Sequence, residues 1–78
     1  MSNTKEFVET IAKFLVNEPE AVLVREIEGA TATIYELSVA SDDMGRVIGK
    51  GGRVANAMRT LLHVIAAKEG KRISLEIV

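Results

Sequence analysis

The residues of this chain best suited to chemistry are the cations and bare backbone of Arg46-Val47-Ile48-Gly49-Lys50-Gly51-Gly52-Arg53. Three glycines in four positions permit a sharp reversal that residues with a Cβ resist, and they leave main-chain amides uncovered. A phosphate can then reach hydrogen-bonding distance of those amides. A helix beginning directly after them points its N-terminal amides and its dipole at the same spot. The chemistry is anion capture, with Lys50 and Arg53 adding charge. From Gly45 to Thr60 the chain carries Arg46, Lys50, Arg53 and Arg59 and no acidic residue, a local +4. The whole chain is −1, so the remainder holds −5 and the positive charge is concentrated at the glycines.

Other chemistries lack their residues. There is no cysteine, hence no disulfide framework and no thiolate metal site. The single histidine, His63, has no carboxylate three or four residues away to orient it, and reads as a solvated surface residue. Asp42 and Asp43 follow Ser41 with no further ligand type grouped with them, so they read as a helix start, a cap followed by carboxylates that favour the positive end of the dipole. The glycine cluster does not fit G-x-x-x-x-G-K-[ST] and sits between helices instead of after a strand, which excludes the nucleoside-triphosphate loop and the dinucleotide fingerprint. No enzyme activity and no cofactor is expected.

At 78 residues, 47% hydrophobic and 27% charged, the composition is that of one small globular domain spanning residues 1–78. No apolar run approaches the ~18 residues of a membrane span. The N-terminus Met1-Ser2-Asn3-Thr4-Lys5-Glu6 lacks the basic-then-apolar order of a signal peptide. The default address is the cytoplasm, with no membrane partner.

Elements that would position the loop can be read from periodicity. Thr4 is placed to cap a first helix whose stripe is Phe7, Val8, Ile11, Phe14 and Leu15, with both phenylalanines in the core. Asn17-Glu18-Pro19 ends it, since proline cannot continue the hydrogen-bond ladder. Ala21 to Glu28 and Thr31 to Ala40 read as a hairpin turning at Gly29-Ala30. In the second strand Thr33, Tyr35, Leu37 and Val39 form one face, with the Tyr35 hydroxyl reaching water. In the first, Val22 and Val24 compete with Leu23 and Ile27 for the buried side. A short helix from Asp42 to about Ile48 is closed by the glycines. Val54, Ala57, Met58, Leu61, Leu62 and Ile65 then follow helical spacing up to Lys68-Glu69-Gly70. Glu69 to Arg72 connects to a last strand in which Ile73, Leu75 and Ile77 alternate with Arg72, Ser74 and Glu76.

Helix, strand, strand, helix, loop, helix, strand is an α+β order, and Gly49-Lys50-Gly51-Gly52 resembles the GxxG signature of the KH (K-homology) domain. The resemblance covers nearly the whole chain. It implies the type II, prokaryotic fold, αββααβ, with a three-stranded sheet and three helices packed on one face. The run from Asp43 to Arg53, with Ala57-Met58-Arg59-Thr60-Leu61, is similar to the small stand-alone bacterial KH proteins of the KhpA type.

KH domains clamp about four nucleotides of single-stranded RNA. Carried over, the resemblance implies that Gly49, Lys50, Gly51 and Gly52 form the clamp. Lys50 and Arg53 add charge, Arg46 assists, and Val47, Ile48 and Val54 supply floor or rim. Two features depart from a strong sequence-reading module. The connection before the last strand is short, and no aromatic lies near the glycines for bases to stack on. The expectation is weak, broad RNA binding, raised to useful affinity by a second domain, either in a homodimer or in a heterodimer with a larger Jag-type KH protein. The resemblance further implies RNA-chaperone or post-transcriptional roles linked to the cell envelope and cell shape. The alternative is a protein-interaction module that keeps the fold with little RNA affinity, which the net acidity favours and the +4 cluster opposes.

Overall fold

A computed structural model describes residues 3–78. Helix α1 spans Asn3–Leu15, a 3-10 turn follows at Pro19–Ala21, and strands β1 (Leu23–Glu28) and β2 (Ala32–Ser38) form the hairpin. A second 3-10 turn at Ser41–Asp43 leads into α2 (Met44–Ile48). A third, Lys50–Gly52, leads into α3 (Arg53–Glu69), and β3 (Arg72–Ile77) closes the order.

The sheet order is β1-β2-β3. β1 and β2 are antiparallel, with Leu23 opposite Ser38 and Glu28 opposite Thr33. β2 and β3 are parallel, with Ala32 opposite Arg72 and Leu37 opposite Ile77. A parallel pair cannot be joined by a hairpin, so the chain must cross from the end of β2 back to the start of β3. That crossover is α2, the glycine loop and α3.

One face of the sheet carries the core. Val24, Thr33, Tyr35, Leu37, Ile73 and Leu75 are buried there, against Val8, Ala12 and Val16 from the first helical segment, Val47 from α2, and Met58, Leu62 and Ala66 from α3. The Val22–Val24 side of β1 is therefore the inward one, while Leu23 and Ile27 stay exposed on the opposite face. Tyr35 is wholly buried, so its hydroxyl does not reach water as its edge-like sequence position suggested.

Several helix faces differ from the periodicity reading. In α1 the buried line is Thr4, Val8 and Ala12, three residues spaced by four. Small side chains let the helix lie close to the sheet, which rotates Phe7 to half-buried and leaves Phe14 86% exposed. Thr4 lies inside the helix as a buried residue and not at its cap. In α3 the inward line is Ala55, Met58, Leu62 and Ala66, whereas Ala57, Leu61 and Val64 face out. A three-stranded sheet is too narrow to cover a wide apolar stripe, and the rest of that stripe remains open. The link from α3 to β3 tightens to Gly70 and Lys71, with Gly70 left-handed at φ 71°.

The largest departure concerns Ser41-Asp42-Asp43. Ser41 lies inside the 3-10 turn, whose cap position is Ala40, and Asp43 is 1% exposed. Its carboxylate accepts the backbone N–H of Asn17 at Oδ1 and of Glu18 at Oδ2, both at 3.1 Å. Arg46 Nε lies 3.2 Å from Oδ1 and completes its neutralisation. Asp43 thus staples the chain leaving α1 to the head of α2. A buried carboxylate is tolerated only with such partners, and removing it strands the donors.

Two substitutions should move stability in opposite directions. Asp43→Ala leaves two amides and a guanidinium without their acceptor and is expected to cost about 2–3 kcal/mol. Thr33→Val replaces a buried hydroxyl that has no hydrogen-bond partner among the described residues by a methyl of the same shape on a strand, and should gain about 1 kcal/mol. Urea unfolding monitored by circular dichroism checks both.

Candidate functional site

Helix α2 ends because Gly49 leaves helical geometry, at φ 79° and ψ 167°, after its N–H has donated to the Gly45 carbonyl at 2.8 Å. Gly51 and Gly52 follow at φ 65° and 81°. The Gly52 N–H closes the turn on the Gly49 carbonyl at 3.0 Å, and α3 starts at once. Three positive φ values in four residues cost a residue with a Cβ of order 1 kcal/mol or more each, so the path depends on glycine.

Position 49 carries a second demand. A Cβ built there would lie 2.6 Å from the Val54 side chain and 2.7 Å from the Val54 amide nitrogen. The loop is thus pressed against the first turn of α3. Gly51 meets nothing within 4 Å, so its surface is open to a ligand. No side chain caps α3 at Gly52, and the first-turn amides and the helix dipole are directed at the loop.

The four cations of the segment divide into two pairs. Lys50 and Arg53 are exposed, and among the described residues neither has an ion-pair partner. Arg46 is drawn toward Asp43, although its side chain stays 53% exposed. Arg59 is held by the fold, its Nε and Nη2 donating to the Leu75 carbonyl at 3.3 and 3.2 Å and its Nη1 to Asn56 Oδ1 at 3.2 Å. The freely available charge beside the glycines is nearer two than four.

Among the aliphatic candidates, Ile48 is 38% exposed and Val54 half-buried, so both present surface. Val47 is fully buried and supports the loop from beneath without offering a contact of its own. Sequence reasoning counted Arg59 among the clustered cations and Leu75 among the alternating strand residues, but did not pair them. Alternate residues of β3 bond to β2, as the Arg72 N–H to Thr31 and the Val78 N–H to Leu37 show. Ile73, Leu75 and Ile77 therefore turn their main-chain groups to the free edge, and Arg59 covers one carbonyl of it. Nothing in the local pattern marks that contact, since it joins residues 16 apart. His63 is exposed and lines a concavity of about 610 Å³ with Lys71, Arg72 and Ser74 at the start of β3.

Three helices on one face of a three-stranded sheet, a parallel β2–β3 pair and a glycine loop between α2 and α3 define a type II KH fold. A likeness to a crystal structure of an Aquifex aeolicus Era variant bound to GDP and AlF4− agrees on the fold, with a TM-score of 0.63 over 95% of this chain and 29% of that one at 21% identity. The family model described as KhpA/KhpB, KH domain, matches residues 5–77, and the chain belongs to that family. The RNA-binding protein KhpA of Caldanaerobacter subterraneus subsp. tengcongensis is 56% identical over 73 residues, 94% of this chain and 97% of the relative. That of Clostridium acetobutylicum is 51% identical over 74 residues, covering 95% and 99%. The Chlamydia pneumoniae KhpA is 51% identical over 73 residues, covering 94% of each.

The loop geometry sets an order of sensitivity. Gly49→Ala, which combines positive φ with a collision against Val54, should lower stability by about 2–3 kcal/mol. Gly51→Ala carries the conformational strain alone and should cost about 1 kcal/mol. Thermal melts of the two variants check the ranking.

Proposed function

We propose that this chain binds single-stranded RNA, seating phosphates on Gly49, Lys50, Gly51 and Gly52. The observation that carries the reading is the open, positive-φ backbone of this loop at the mouth of α3, flanked by two cations that have no ion-pair partner among the described residues. Lys50 and Arg53 supply the charge, with Arg46 at the margin. Ile48 and Val54 give an apolar floor, and Val47 holds that floor up. Relatives about half identical over nearly their whole length are named RNA-binding proteins, which supports the same reading here.

The affinity of one copy is low. Two free cations neutralise about two phosphates, and no aromatic side chain is placed at the loop to stack a base. A second KH unit, in a homodimer or on a larger Jag-type KH protein, raises affinity through effective concentration. The exposed line of Ala57, Leu61 and Val64 on α3 supplies apolar surface for such a contact. The biological role that fits is an RNA chaperone or post-transcriptional regulator in the cytoplasm, without catalysis.

Titration of a fluorescent single-stranded RNA at several salt concentrations tests the reading. Binding should weaken with a log–log slope of about −1.4, the value for two phosphates on a single strand. Replacing Lys50 and Gly51 together by aspartate should abolish it while the melting transition persists, because position 51 has open space and aspartate tolerates left-handed backbone. Unchanged affinity in that variant would sink the proposal and favour a protein-interaction module on the same fold.

A further inference from the structure

The helices cover one face of the sheet, and the face turned away from them carries its own pattern. The strand registers sort it into cross-strand rows. Arg25, Glu36 and Glu76 form one row, and Ile27, Ile34 and Ser74 form the next. On the other side of the charged row, Leu23 opposes Ser38. Val78 extends β3 at that level, its N–H donating to the Leu37 carbonyl at 2.9 Å.

Two features of these rows do nothing for the fold. Glu36 and Glu76 stand side by side on neighbouring strands, an arrangement of like charges that destabilises a sheet. Arg25 Nη1 lies 3.2 Å from Glu36 Oε1, whereas Glu76, on the far strand, has no ion-pair partner among the described residues. Leu23, Ile27 and Val78 are large apolar side chains left exposed along the two edges of the same face.

Both features are resolved if the face meets itself. Turning a second copy over about an axis that runs along β2 lays its β3 on β1 and its β1 on β3, with every row at its own level. Arg25 then faces the copy's Glu76, and the reciprocal pair forms across the axis. Packed sheets stand ~10 Å apart, a gap these two long side chains bridge from opposite sides. Ile27 falls over the copy's Ser74, and Ser74 and Ile34 line the concavity of about 610 Å³. Leu23 falls on the copy's Val78. Glu36 lies on the axis, where each carboxylate already has its own Arg25. An axis across the strands lays each strand on itself, so Arg25 would meet Arg25 or Ile27 and Glu76 would stay unpaired. The face measures roughly 15 by 20 Å, and a pair buries on the order of 1,000 Å², the lower limit for a specific interface. Such a pair forms at high protein concentration and comes apart on dilution.

We propose that the uncovered sheet face binds a second copy of this chain, with the Arg25 of each copy paired to the Glu76 of the other. This surface is separate from the exposed line of α3 and lies on the opposite side of the sheet from the helices, so α3 and the glycine loop stay open in the pair. A chain using both surfaces builds assemblies larger than a dimer. The inference does not depend on RNA binding.

Sedimentation velocity over a range of protein concentrations tests it, in a Leu61→Lys background that removes association through α3. The Leu61→Lys chain should still dimerise. Adding Glu76→Arg should weaken that dimer at least about tenfold, while the melting temperature holds or rises because an arginine then stands beside Glu36. Adding Arg25→Glu as well should restore the dimer, since the exchanged pair is again of opposite sign. Ile27→Lys should dissolve the dimer without lowering the melting temperature, and it decides the matter if the charge-exchanged chain does not fold. A Leu61→Lys chain that is monomeric at every concentration overturns the inference. So does a dimer that ignores both Glu76→Arg and Ile27→Lys, or a folded charge-exchanged chain that stays monomeric.

Discussion

The close approach of Gly49 to Val54 is the constraint on which the rest of the molecule turns. A Cβ at position 49 would overlap the amide and side chain of Val54, so the loop can press against α3 only where the chain has none. That contact places the mouth of α3 under the reversal and aims its unsatisfied amides at the same solvent-facing region as Lys50 and Gly51. Without it the loop would stand away from the helix, and the dipole, the bare backbone and the cations would no longer converge.

The frame around that contact follows from sheet topology. Parallel pairing of β2 with β3 obliges the chain to cross the sheet, and a crossover built of two helices must reverse between them. Asp43 fixes where the crossover begins by tying the head of α2 to the segment after α1. Arg59 ties α3 to the outer carbonyl of Leu75 on the last strand. The loop is therefore held from both sides, by one buried carboxylate and one guanidinium, neither of which belongs to the loop.

Element types and order were legible because local patterns of apolar and turn-forming residues carry them. The alternation of Ile73, Leu75 and Ile77 and the run of glycines needed no partner to be recognised. Helix faces were less legible. Phe14 belongs to a helical apolar stripe yet is 86% exposed, because α1 seats its small residues against the sheet and not its large ones. Asp43 was read as a dipole partner, and only the fold brings the Asn17 and Glu18 amides to it. Of the cluster's four charges, spacing could not say which two the fold would engage.

The amino-acid sequence alone determined that the chain reverses at residues 49–52, that a helix follows, and that cations gather there. Those are consequences of glycine's φ range, helical periodicity and composition, which act within a few residues. Tertiary structure decided that Arg46 and Arg59 are engaged while Lys50 and Arg53 have no ion-pair partner among the described residues, and that Val47 is buried while Ile48 presents surface. Each depends on atoms brought together from distant parts of the chain, and burial and pairing are properties of that meeting, with no trace in the local pattern.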